Sequence, residues 1–115
     1  MVKYEAKLDT IFTALAHPAR RAILVRLGKG EATVGELARP LDMSLPAVTK
    51  HLKMLERAKL ISRSKNAQWR PCRLEQASLK TASGWIEEQR KIWEPRLDRL
   101  ESYLHSLEKP QREKR

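Results

Sequence analysis

A mostly α chain carrying one small β-hairpin is what three features of the sequence predict. Apolar residues recur at helical spacing from Leu8 to the region of Ala58, two short β-prone stretches follow at 60–64 and 69–74, and a second helical pattern runs from about Ala77 to Leu107.

The first helix is carried by Leu8, Ile11, Phe12 and Leu15, which fall on one stripe at i, i+3, i+4 and i+7. His17-Pro18 interrupts it, because a residue before proline is pushed out of the helical region, and Pro18 then suits the first turn of a second helix through Leu27. Gly28 and Gly30 are expected to supply left-handed geometry at its end. Thr33-Val34-Gly35-Glu36 has the capping-box pattern and predicts a short helix over about 34–41. After Asp42-Met43, Ser44 is a good N-cap for a fourth helix that tolerates Pro46 near its start and runs to about Ala58.

The stretches LISRS and WRPCRL, separated by Lys65-Asn66-Ala67-Gln68, predict an antiparallel hairpin. Pro71 cannot donate a ladder bond, so its strand is expected at an edge. In the last helical region Leu79, Ile86, Trp93, Leu100 and Leu107 lie seven apart, with Ala82, Leu97 and Leu104 between them. Gln89 breaks that seam, and Pro95 is expected to kink the helix or split it in two. This order of elements is a winged helix-turn-helix with N- and C-terminal dimerisation helices, residues 1–108 forming one DNA-binding and dimerisation domain. Residues 109–115 are expected to be a basic disordered tail.

Charge is localised. The net charge is +10, yet residues 44–73 hold 8 Lys and Arg against 1 acid, whereas 74–108 hold 5 against 7. A positive field confined to one segment is what a surface for phosphates requires. On the fourth helix Leu45, Val48, Leu52 and Leu55 form a face expected to pack on the third, while Pro46, Lys50, Lys53 and Arg57 lie opposite. A helix of this kind fits the major groove of B-DNA, with its N-terminal residues at base edges. The hairpin continues the cationic surface with Arg63, Lys65, Arg70 and Arg73, and with Asn66 and Gln68 near its tip.

LAHPARRAIL followed by ATVGELARPLDMSLPAVTKHLKMLERAKLISRSK resembles the ArsR family of transcriptional repressors, over roughly residues 8–107. The resemblance implies operator binding by a dimer. It also implies that Ser44, Pro46, Ala47, Thr49, Lys50 and Lys53 face the groove, with the hairpin near the minor groove. Two positions depart from the pattern around the wing: Lys59 stands where a glycine is usual, and Asn66-Ala67 replaces a glycine-centred tip. Thr33 and Gly35 occupy the positions of a Cys-x-Cys pair found in metal-sensing relatives, so a soft-metal site lacks its thiolates. A second family site, on the C-terminal helices, would have only His105, Asp98, Glu101 and Glu108 to draw on, and no metal or other cofactor is expected.

The other candidates read as structural. His51 is expected to pack or hydrogen-bond at the margin of the fourth helix, and His17 to mark a helix boundary. Cys72 is expected to be an inert small residue, although Arg70 and Arg73 nearby would favour its thiolate. Trp69 is expected to pack under the hairpin, and Trp93 to lie in a core or dimer interface. The stripes Leu8, Ile11, Phe12, Leu15 and Trp93, Leu97, Leu100, Leu104 exceed what a domain this small can bury and predict a homodimer. No apolar stretch is long enough for a membrane span, and the chain is expected in the cytoplasm, with double-stranded operator DNA as partner and any small-molecule effector left open. An RNA-binding basic protein is the alternative. With no phosphate loop and no nucleophile-base pairing at a usable spacing, an enzyme is not expected.

Overall fold

The computed structural model describes residues 2–65 and 69–113, with side chains described over 4–65 and 69–108. The elements follow as α1 (Val2–Leu15), α2 (Pro18–Leu27), α3 (Val34–Leu41), α4 (Leu45–Arg57), β1 (Ile61–Arg63), β2 (Cys72–Leu74) and α5 (Gln76–Glu113). They divide into two compact units, one reaching Ala82 and the other beginning at Ser83.

Helix starts in the first unit are fixed by side chains that satisfy orphan backbone donors. His17 is extended and its Nδ1 accepts the Ala19 N–H at 3.1 Å, with Pro18 beginning α2. At α3 the capping box is complete: Glu36 N–H donates to Thr33 Oγ1 at 3.2 Å, and Thr33 N–H donates to Glu36 Oε1 at 2.9 Å. The Thr33 N–H bond to its oxygen, helped by the Thr33 side chain, holds the Glu36 carboxyl below its ordinary pKa. Ser44 Oγ accepts the Ala47 N–H at 3.3 Å to begin α4.

The end of α4 accounts for the missing glycine. Lys59 has φ 57, and around it the Lys59 N–H donates to Glu56 O at 2.9 Å and the Leu60 N–H to Leu55 O at 3.0 Å. These are the two bonds of a Schellman motif, which needs a left-handed residue at this position. The chain keeps the path glycine would give, with a lysine bearing the strain. Gly28, in contrast, is right-handed (φ −62), and only Gly30 of the pair is positive (φ 143).

The core lies where α1, α2, α3 and α4 meet the sheet. Ile11, Ile23, Leu27, Leu37, Val48, Leu52, Leu55, Leu60 and Ile61 are buried, and each such side chain contributes about 1.5–3 kcal/mol relative to exposure. Ser78 ties the start of α5 to this core by donating from Oγ to Ala58 O at 2.8 Å. β1 pairs antiparallel with β2 in the register Ile61↔Leu74, Ser62↔Arg73, Arg63↔Cys72.

Contrary to expectation, β2 is not at an edge. Ala32 pairs with Cys72 on its other side, through Cys72 N–H to Ala32 O at 2.7 Å and Ala32 N–H to Cys72 O at 3.2 Å. Pro71 precedes the strand, where its carbonyl accepts the Ser64 N–H at 3.0 Å, and its missing N–H forgoes only the reciprocal bond to Ser64 at the end of the ladder.

In the second unit α5 passes Pro95 without splitting and continues to Glu113. An exposed proline removes one intrahelical bond, and the carbonyl it strands can be solvated, so neighbouring turns carry the helix across. The expected boundary at residue 108 is likewise not an end of the helix, while Lys114 and Arg115 lie outside the described residues.

Candidate nucleic-acid interface

On α4, Val48, Leu52 and Leu55 are buried, and Lys50, Lys53 and Arg57 are exposed on the other side. Ser44 and Pro46 are exposed at the head of the helix, with Ala47 and Thr49 half-buried. Leu45 departs from its expected place: it is 55% exposed. It shares the stripe of Val48, but as the first residue of the helix it lies beyond the elements that cover the later turns.

The hairpin divides the expected cations. Lys65 and Arg70 are exposed, the latter with φ 45, and Asn66 and Gln68 lie outside the described residues. Arg63 is not an outward cation. Its side chain is 14% exposed, with Nη1 4.0 Å from Glu56 Oε1, and its buried Nε has no hydrogen-bond partner among the described residues. Strand alternation is the cause: Arg63 shares the face of buried Ile61, while Ser62 and Arg73 occupy the opposite face. Arg73 is exposed, with Nη2 3.8 Å from Glu75 Oε2, and Ser62 donates to that same oxygen at 2.6 Å.

Trp69 also reverses its expectation, being 73% exposed rather than packed under the hairpin. Strands of three residues offer too little surface to cover an indole. Cys72 is fully buried, and burial pushes its thiol pKa up; the nearby Arg63 guanidinium opposes this without winning. The cysteine is therefore a core residue with little thiolate character.

A buried arginine that the sequence pattern did not single out organises the back of α4. Arg20 donates from Nε to Ala14 O at 2.7 Å and from Nη2 to Thr13 O at 2.9 Å, satisfying carbonyls at the end of α1. Its Nη1 lies 3.2 Å from Nδ1 of His51 on α4, and the His17 ring lies 4.4 Å from that of His51, centroid to centroid. Burial lowers the His51 pKa, and His17 and Arg20 lower it further. The available signal was the polar Arg20 between the helical apolar positions of α2.

The expected dimer residues fall into two groups. Leu8 and Ile11 are buried inside the first unit, Ile11 completely, which gives them a place in the core of a single chain that the stripe alone did not predict; Phe12 and Leu15 are half-buried against the same core. In a monomer this small, α1 is needed to close the helical layer. Trp93, Leu97, Leu100 and Leu104 on α5 are all more than half exposed. Among the described residues no three His, Cys, Asp or Glu side chains gather into a metal-binding group, and no helix is long and apolar enough to cross a membrane.

Residues 15–63 match the family model for a helix-turn-helix domain. The chain is 53% identical over 53 residues to the HTH-type transcriptional regulator Rv2034 of Mycobacterium tuberculosis, a match covering 46% of this chain and 50% of that protein, so it spans half the length of that relative. It is 30% identical over 79 residues to the transcriptional repressor SdpR of Bacillus subtilis, covering 69% of this chain and 88% of SdpR. Its fold matches the crystal structure of an ArsR family transcriptional regulator with a TM-score of 0.73 and 43% identity, over 78% of this chain and 93% of the other. With the helical core, the capped α4 and the hairpin in place, the chain belongs to the ArsR family of winged helix-turn-helix transcriptional regulators.

Proposed function

We propose that this regulator is a repressor that binds a palindromic operator in double-stranded DNA as a homodimer, in the cytoplasm and without a metal or other cofactor. The observation that carries the reading is the outer face of α4, where exposed Lys50, Lys53 and Arg57 follow an N-terminal turn pinned by Ser44. Phosphate contacts by such cations position a helix in the major groove, and its first turns read base edges. Ser44, Pro46, Ala47, Thr49, Lys50 and Lys53 are assigned to the groove; Arg57, Lys65 and Arg70 to the backbone.

Dimerisation is supported by the exposed stripe Trp93, Leu97, Leu100 and Leu104, which recurs at spacings of four and three and suits pairing with a second copy. Residues 1–108 then act as one DNA-binding and dimerisation module. Repression is supported by the Bacillus subtilis relative, named as a repressor. Selection of bound fragments from genomic DNA tests the reading. Recovery of inverted repeats, resistant to competition by structured RNA and unaffected by chelators, is the expected result; preference for RNA would overturn it.

A further inference from the structure

We infer that Leu45, with Pro46 and Ala47, reads the 5-methyl groups of thymines in the operator's major groove. The inference rests on the DNA-binding reading above and names the chemistry of its base contacts. The head of α4 is apolar where a reading helix is usually polar. Leu45 and Pro46 are exposed, Ala47 is half-buried, and none of the three side chains has a donor or acceptor. Ser44, just before this turn, accepts the Ala47 N–H at its oxygen and keeps only its hydroxyl hydrogen to offer.

A base edge offers donors, acceptors and, at thymine alone, a methyl group in the major groove. An apolar first turn can gain only from the last of these. A polar base edge pressed against Leu45 would leave its donor or acceptor unsatisfied. The occupant is duplex DNA rather than an apolar partner because the turns that follow present Lys50, Lys53 and Arg57, and the segment 44–73 carries 8 cations against 1 acid. An apolar protein surface laid on Leu45 would have to desolvate those cationic groups.

The test uses the full chain and 30-base-pair duplexes that it enriches from a random pool. Replacing every thymine by deoxyuridine deletes the methyl groups and leaves each hydrogen-bonding group in place. Affinity is expected to fall about fourfold for each methyl group that Leu45, Pro46 or Ala47 covers, the effect of one buried carbon group. Leu45→Ala is expected to bind the thymine duplex more weakly and to lose at least the roughly fourfold share of the deoxyuridine response that Leu45 carries, whereas Lys50→Ala keeps the whole response. Equal binding of thymine and deoxyuridine duplexes, within twofold, would overturn the inference. So would a Leu45→Ala protein with full methyl sensitivity, or one whose oligomeric mass changes, since Leu45 would then be covered by a second copy. If no duplex is enriched over the starting pool, the DNA-binding reading itself fails, and that outcome is distinct from these.

Discussion

Arg20 and His51 meet at 3.2 Å, Nη1 to Nδ1, so that the guanidinium capping the end of α1 also reaches the helix that presents the cationic face. Nδ1 can accept from Arg20 only while it is unprotonated.

This contact makes stability depend on pH. Burial, then His17 and Arg20, depress the His51 pKa in the folded chain below its ordinary value near 6.5. The unfolded state therefore binds the extra proton more readily, and stability that is fully present above about pH 6.5 is lost as pH falls through the folded-state value. Urea denaturation of the wild type between pH 7.5 and 5 is expected to show a falling midpoint. His51→Asn, which keeps an acceptor but does not titrate, is expected to flatten that dependence; an unchanged slope would show that His51 is not its source.

Lys59 is the second test. A non-glycine residue at φ 57 carries backbone strain that glycine does not. Lys59→Gly is expected to raise stability by up to about 1 kcal/mol, reduced by the greater freedom of glycine in the unfolded chain. A loss of stability in thermal unfolding would mean that the lysine side chain contributes more than its backbone costs.

The hairpin and α4 cations should fail in different ways. Lys65→Ala and Arg70→Ala are each expected to weaken operator and random DNA alike and to reduce the slope of log affinity against log salt by about one. Arg63→Met is expected to leave that slope unchanged, because its guanidinium is turned in toward Glu56. Lys50→Ala and Thr49→Ala are expected to cost about 1–3 kcal/mol on the operator and little on random DNA. Titrations at several salt concentrations decide among these outcomes.

Changing Leu97 and Leu104 together to glutamate places charges on two exposed residues of the α5 stripe, neither of which belongs to the buried core cluster. Monomeric mass by light scattering and much weaker operator binding are expected. A dimer of unchanged mass would move the interface elsewhere. The corresponding change at Ile11, fully buried, is expected to unfold the chain instead.

Much of the fold was legible because its signals are local. Thr33 and Ser44 mark helix starts through bonds spanning three residues, Pro18 does so through its fixed φ, and the structure shows each start. What escaped depended on distant partners. The pairing of Ala32 with Cys72 joins residues 40 positions apart and moved β2 from edge to centre. Arg20 among the core helices could be read as an ordinary surface cation until the end of α1 and His51 were placed beside it. Arg63 was legible and misread: alternation from Ile61 already put it on the inner face, but its charge suggested the outer one. Leu45 shows the converse limit, since a periodic stripe states which face a residue shares and not whether a neighbour reaches it.

Ser44 joins local folding to the proposed ligand surface in a single atom group. Its oxygen receives the Ala47 N–H, which uses a lone pair and leaves the hydroxyl hydrogen as a donor. A helix start held in this way can offer a proton outward without loosening, and the direction of that offer matters for an anionic partner. Aspartate would hold α4 equally well, because a carboxylate caps as readily as a hydroxyl. It would also set a negative charge and no donor at the entrance to a phosphate-lined groove. Ser44→Asp thus separates two properties that serine combines, a rigid helix start and an inviting one.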